Sequence, residues 1–192
     1  ERFRLNDDPI MYPSIDWRRY LLNKTSVQTQ HNLNISGGTK DIRYFISLGF
    51  LYQNGLLKQF EGVGYDNNYK YKRYNYRANL DFDATKTTTL KIGIGGIVGN
   101  RNEPMINDAT NSIWTLINQT TPFSSPGVID GKLIVTPEER FDNKINLGNS
   151  ALPKCYGTGY STAINNTMNL DLLLNQKLDL SLIHISEPTR RS

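Results

Sequence analysis

Arg73 to Gly99 reads RYNYRANLDFDATKTTTLKIGIGGIVG. Over its first half Tyr74, Tyr76, Ala78, Leu80 and Phe82 alternate with Arg73, Asn75, Arg77, Asn79, Asp81 and Asp83. Threonine-rich, turn-like positions follow, after which Leu90, Ile92, Ile94 and Val98 alternate with Lys91, Gly93 and Gly95. A period of two is the strand signature, so the stretch is predicted to be a hairpin with its turn at 84–88. One face carries large apolar groups and the other carries arginine, aspartate and asparagine. What covers the apolar face decides the fold: a soluble sandwich puts it on a core, a membrane barrel puts it on lipid.

The chain has 192 residues, enough for one ordinary domain. It is 38% hydrophobic with a mean hydropathy of -0.51, and it holds no apolar run long enough for a helical membrane span. Barrel strands are only about 9–11 residues long and half polar, so they escape such a test. Eleven tyrosines stand out. Net charge is +4, with a local cluster at Lys70, Lys72, Arg73 and Arg77 among Tyr69, Tyr71, Tyr74 and Tyr76. A nucleic-acid platform needs cations and rings together, and the alternation divides them, so no nucleic-acid partner is expected. Cys155 is alone, which excludes an internal disulfide. His31 and His184 lack metal-ligand spacing, and no metal or cofactor is expected. Asn23, Asn34, Asn118 and Asn165 form glycosylation triplets of the sort any Asn/Thr-rich chain contains.

The ends look incomplete. Glu1 carries neither an initiator methionine nor a leader, so the chain is expected to begin within a longer protein. SLIHISEPTRRS, 181–192, resembles translated read-through of a sequencing adapter, and is set apart from the fold as a non-native tail; the competing reading lets Leu178, Leu180 and Leu182 continue a strand.

Between these ends, DWRRYLLN (16–23) is a short helix candidate with Asp16 as its N-cap, closing a lead-in over 1–27. Gln28 to Ser36 alternates, Gly37 to Asp41 makes a tight connection, and Ile42 to Gln53 returns as a strand. Ile42, Tyr44, Ile46, Leu48, Phe50 and Tyr52 share one face of it. A polar segment, 54–68, precedes the opening hairpin. A very long excursion follows, about 100–160, rich in Pro, Asn, Gly and Ser, with a helical segment at 109–119 stopped by Pro122. Thr162 to Asn175 is the last strand, with Ile164, Met168, Leu170, Leu172 and Leu174 on one face.

Connections thus run short, long, short, very long, short. Up-and-down outer-membrane barrels place short turns at the periplasmic edge and long loops outside, whereas loops beyond about 12–15 residues are uncommon in compact soluble domains. Tyr44 and Tyr52 bracketing Ile46, Leu48 and Phe50 match an aromatic girdle around a lipid band. The predicted fold is all-β: an antiparallel up-and-down transmembrane barrel segment of about five or six strands over 28–180. Tyr44, Ile46, Leu48, Phe50, Leu80, Phe82, Ile92 and Ile94 are expected on lipid, and Arg73, Arg77, Asp81 and Asp83 in the lumen.

QHNLNISGGTKDIRYFISLGFLYQNGLL, 30–57, closely resembles the early barrel hairpin of SusC/RagA-type TonB-dependent outer-membrane transporters. His31, Asn32, Leu33, Ser36, Gly37, Gly38, Arg43, Tyr44, Ser47, Leu48, Gly49, Gln53 and Gly55 carry the resemblance. Asp16 and Trp17 fall where that family has its helical lead-in, the opening hairpin matches the family's next one, and Pro122, Pro126, Asp130 and Gly131 resemble its proline-rich stretch ending in a DG turn. The resemblance covers most of 12–180. It implies a roughly 22-stranded plugged barrel in the outer membrane of a Gram-negative bacterium. It further implies active import of oligosaccharides or peptides, energised by the TonB complex and assisted by a SusD-like surface lipoprotein. The competing classes are a soluble all-β carbohydrate-binding module and a passive porin.

No catalytic constellation is visible, and no enzyme is expected. Glu138, Glu139 and Arg140, and Asp7 beside Asp8, are adjacent exposed charges rather than opposed carboxylates. Gly93, Gly95 and Gly96 lack the helix a phosphate loop needs, and are read as leaving room for a plug in the lumen. Trp114, Phe123, Tyr156 and Tyr160 are the candidates for stacking on substrate, against the plainer reading that they pack the long loop.

Overall fold

A computed structural model of the chain describes residues 8–106, 112–134 and 150–178. Asp7, Glu138, Glu139, Arg140, His184 and the tail 181–192 lie outside the described residues. Five strands, β1 (Gln28–Gly38), β2 (Ile42–Asn54), β3 (Lys70–Asp83), β4 (Thr88–Pro104) and β7 (Tyr160–Gln176), form one sheet in that order. β5 (Val128–Ile129) and β6 (Lys132–Leu133) form a separate two-stranded ribbon. The sheets are antiparallel, and the larger one is open rather than closed into a barrel, with β1 and β7 at its edges. No described helix is long and apolar enough to cross a membrane.

Chain order equals spatial order in the large sheet, as the expected up-and-down arrangement requires. The strands outrun the alternating pattern: β3 begins at Lys70 and β4 runs on to Pro104, giving 14 and 17 residues. Asn100 to Glu103 are polar on both faces, and Lys70 and Lys72 stand where the pattern calls for apolar groups, with Tyr71 between them on the opposite face. A hydrophobic period could not register either extension, yet the backbone ladder continues. The turns 39–41 and 84–87 are tight. Thr39 N–H donates to Ile42 O at 2.7 Å, and in the second the Thr85 hydroxyl accepts from Thr88 N–H at 3.0 Å.

The chain divides into two compact units. One comprises the described parts of Asn32–Leu48, Asn75–Gly96 and Thr167–Ser192, and so holds strand segments and both tight turns. Every buried apolar side chain among the described residues lies outside this unit. Leu48 is 49% exposed, and Leu80 and Ile94 are each 37% exposed, so no second sheet among the described residues covers them, as a sandwich would require. Leu33, Ile35, Tyr44, Ile46, Phe82, Met168, Leu170, Leu172 and Leu174 are exposed as well. Here an apolar face stands without a core.

The other unit comprises the described parts of Glu1–His31, Gly49–Tyr74 and Ile97–Asn166. It contains helices α1 (Trp17–Leu21), α2 (Ile113–Gln119) and α3 (Ala151–Tyr156) and a true hydrophobic core of Trp17, Leu21, Leu57, Ile113, Leu116, Ile117, Ala151, Leu152, Cys155 and Tyr156. Capping fixes the helix starts: Asp16 accepts from Arg19 N–H at 3.2 Å, and Ser112 from Thr115 N–H at 3.3 Å. The Thr120 hydroxyl donates to Leu116 O and accepts from Ala151 N–H at 2.8 Å, tying the end of α2 to the start of α3. Asp130 and Gly131, with φ of 48° and 72°, make the two-residue turn joining β5 to β6, where positive φ at both positions matches the strand twist.

The excursion after β4, expected as a very long loop carrying one helical segment at 109–119, holds that helix as α2 and adds the ribbon and α3, which bury their apolar residues against α1 and Leu57. Leu116→Ala and Leu152→Ala, both at 0% exposed positions, should each destabilise this unit by about 2–5 kcal/mol. The loss would be read as an earlier denaturant transition of Trp17 fluorescence. An unchanged transition would show that the core is not what holds it.

Candidate functional site

The geometry settles which side chains share the polar face of each unit. In the core-less unit, Arg43 pairs with Asp83 at 3.2 Å and Lys91 with Asp81 at 3.5 Å, bridging β2 to β3 and β3 to β4. A Cβ built on Gly93 would meet Asn79 Oδ1 at 3.5 Å and the Asp171 Cβ at 3.4 Å, so those groups occupy the same side. Arg77 joins them by the pleat. Cross-strand pairs of opposite charge contribute roughly 0.2–1 kcal/mol each, and they leave this face hydrated and ionic while the reverse face is apolar.

Glycine placement corrects one expectation. Gly93 does sit on the polar face, but Gly96 lies on the apolar one. A Cβ there would meet the Tyr76 hydroxyl oxygen at 2.5 Å and Thr167 O at 2.6 Å. Gly37 likewise lies beneath the ring of Tyr44. The small residues at these two positions make room for tyrosines crossing from a neighbouring strand, a known way of packing strand glycines, rather than for a body in a lumen.

In the unit with the core, the same polar-side parity continues through Tyr69, Tyr71, Arg73, Gly99, Arg101 and Glu103. The Tyr71 ring lies over Gly99, and Arg101 pairs with Glu103 at 3.2 Å. Arg73 Nε is buried and without a hydrogen-bond partner among the described residues. Beside these groups opens a cleft of about 650 Å³, lined by Gln53, Asn54, Tyr69, Glu103, Ser112 and Trp114 over Leu22, Leu57 and Ile113. Burial, and next the charge of Glu103, raise the Tyr69 phenol above its ordinary value, so it stays a neutral donor there. Asn54 is held in place: its Oδ1 accepts from Asn68 Nδ2 at 3.3 Å, and Asn68 Oδ1 accepts from Leu57 N–H at 3.2 Å. A ring face beside fixed amides and an acid suits a polar ligand that also presents apolar patches.

The four aromatic candidates separate. Trp114 is 49% exposed and forms part of the cleft. Tyr160 is equally exposed but lies elsewhere, its ring 5.8 Å from that of Tyr65. Phe123 is half-buried outside the cleft. Tyr156 is 1% exposed; its hydroxyl donates to Lys58 O at 2.7 Å and its ring meets Phe60 edge-on at 5.1 Å, so it packs the core and offers no face to a ligand. Tyr69, Gln53 and Glu103 were not expected at a binding site: Tyr69 stood only in the basic, tyrosine-rich cluster and Gln53 only among the residues that carry the resemblance. Continuing the alternation of β3 and β4 past its apolar part would have found two of them.

Cys155 is 0% exposed, and burial pushes its thiol up to about 12. Burial raises the Tyr156 phenol as well. A group whose folded value is raised adds stability that is complete below its unfolded value, about 8.5 for a thiol, and declines as pH climbs toward the folded one. The helical unit should therefore lose denaturant resistance progressively from about pH 8.5 to 12. At pH 7.5 Cys155 should resist a soluble maleimide until denaturant is added. Rapid labelling of the folded protein would contradict the burial.

No protein-family profile matches the chain. The chain is similar to the TonB-dependent receptor SusC of Bacteroides thetaiotaomicron, 28% identical over 125 residues, with 58% of this chain and 12% of that receptor covered. The chain thus spans about an eighth of the relative it matches, and the similarity supports a relationship to TonB-dependent receptors.

Proposed function

We propose that the chain forms part of the barrel wall of a TonB-dependent outer-membrane importer, with its apolar sheet face on lipid and its polar face toward the transport route. The observation that carries this reading is the uncovered apolar face of the core-less unit, where Leu48, Leu80, Leu170, Leu172 and Leu174 stand in the open. Large exposed apolar patches mark a missing partner, and a sheet can meet hydrocarbon only where every backbone group is paired by closure. Strands of 11 to 17 residues meet or exceed the roughly 9–11 needed to cross. His31, Phe50 and Tyr74 add an aromatic row across β1, β2 and β3, with ring centroids 6.4 and 5.1 Å apart, as interfacial girdles do.

In this reading β1 and β7 pair with further strands of a longer protein, which also supplies a plug and the contact to the TonB complex. The cargo is an oligosaccharide or peptide delivered with a SusD-like surface lipoprotein, and the Trp114 cleft contacts it. Arg73, Arg77, Asp81 and Asp83 line the route in this reading, with Asp81 paired to Lys91 and Asp83 to Arg43.

Uptake of labelled oligosaccharides and peptides into cells carrying the full-length parent protein tests the reading. Uptake should cease when TonB is deleted, while the protein remains in the outer-membrane fraction. Undiminished uptake would make it a passive pore. Trp114→Ala should raise the half-saturating cargo concentration about 2- to 12-fold, the equivalent of about 0.5–1.5 kcal/mol of ring contact, and an unchanged value would remove the cleft from the route.

A further inference from the structure

Lys70, Lys72, Asn100, Asn102, Tyr160 and Thr162 all fall on the even positions of β3, β4 and β7. These share the face of Tyr74, Val98 and Ile164, opposite to Tyr69, Arg73 and Glu103. With Gly64, Tyr65 and Asp66 from the segment between β2 and β3, they enclose a second cleft of about 440 Å³. It shares no lining residue with the Trp114 cleft, to which β2 and β4 contribute Gln53 and Glu103 from the opposite face.

Its chemistry is specific. Lys70 is neutralised by an ion pair with Asp66, whereas Lys72 is exposed and has no partner among the described residues. One uncompensated cation therefore stands among amides and hydroxyls. The wall is held rigidly. Asn102 Nδ2 donates to Asp66 O at 2.8 Å and Asn68 O at 2.9 Å, and the Tyr65 hydroxyl donates to Tyr156 O while accepting from Gly159 N–H at 3.1 Å. Next to the cleft on the same face, Ile164 is 70% and Tyr74 49% exposed. A cation with polar donors, followed along the strands by exposed apolar groups, complements a ligand that has an anionic, hydroxyl-rich head and an alkyl chain.

We propose that this cleft binds the phosphorylated sugar headgroup of an outer-leaflet lipid, with the phosphate on Lys72, the sugar against Tyr160, Thr162 and the asparagines, and an acyl chain along Tyr74 and Ile164. The proposal rests on the lipid-facing reading of the apolar face and adds to it a fixed lipid at the boundary of the band. Such a site would set the height of the wall in the membrane.

The test uses the full-length parent protein in neutral phosphatidylcholine nanodiscs with a trace of fluorescent lipid A carrying its phosphate, or the same lipid dephosphorylated. Lys72→Gln, and the pair Lys70→Gln with Lys72→Gln, should weaken binding of the phosphorylated probe roughly 5- to 30-fold, on the scale of one to two surface cations. Lys132→Gln, an equal charge change on β6, and the pair of Lys→Arg changes should leave it intact. The dephosphorylated probe should bind weakly to every form.

Equal binding by Lys72→Gln, or an equal loss in Lys132→Gln, would overturn the site. Complete displacement of the probe by millimolar inorganic phosphate would overturn the lipid assignment in favour of a simple anion site. Heat-modifiable electrophoretic mobility reports barrel assembly separately; its absence in the unmutated protein would defeat the lipid-facing reading itself. Lys72 has no described partner to lose, so its single variant carries the test if the double variant does not assemble.

Discussion

An apolar sheet face must be covered, and the rest of the structure follows from the fact that no described residue of this chain covers it. Hydrophobic burial is worth about 25 cal/mol per Å², and no soluble domain leaves a whole row of leucines in water. The chain does contain material for a core: three short helices and the β2–β3 connection make one, and every described buried apolar residue belongs to that unit. None of it is spent on Leu48, Leu80 or Leu172. In the proposed reading, the apolar surrounding of this face comes from outside the chain.

That constraint also explains the two-sidedness of the strands. The polar face carries Arg43–Asp83 and Lys91–Asp81 pairs that bridge neighbouring strands, so its charges are satisfied where they stand. Tyrosines cross over glycines on the opposite face, filling the groove that Gly37 and Gly96 leave. The pleat delivers both surfaces from one sequence period, and beyond the apolar band it continues to sort groups: Glu103 and Tyr69 to one cleft, Lys72 and Thr162 to another.

The sheet was legible for the same reason. Alternation in 73–83 and 162–175, the glycine-bearing turn before Ile42 and the threonine turn after Asp83 gave strand order and faces directly, and Asp16 announced α1. The ends of β3 and β4 were hidden because Lys70, Lys72, Asn100 and Asn102 stand where the pattern calls for apolar groups. α3 was hidden too: ALPKCY has no readable helical period and contains Pro153, which a helix accepts here because it lies in the first turn, where its N–H would have no partner. The burial of Tyr156 could not be read at all, since it depends on Lys58 O and Phe60, nearly a hundred residues away.

The central claim is that the apolar face of the strands meets hydrocarbon, and single labels along β7, where that face is even-numbered, test it most directly. Environment-sensitive labels would be placed one at a time on residues 167 to 174 of the full-length protein in bilayers, and their quenching compared for a lipid-phase and an aqueous quencher. The expected result is a period of two, with lipid quenching at 168, 170, 172 and 174 and aqueous quenching at 167, 169 and 171. Uniform aqueous quenching, or protection of the even positions from both quenchers, would contradict it and place a protein partner on that face.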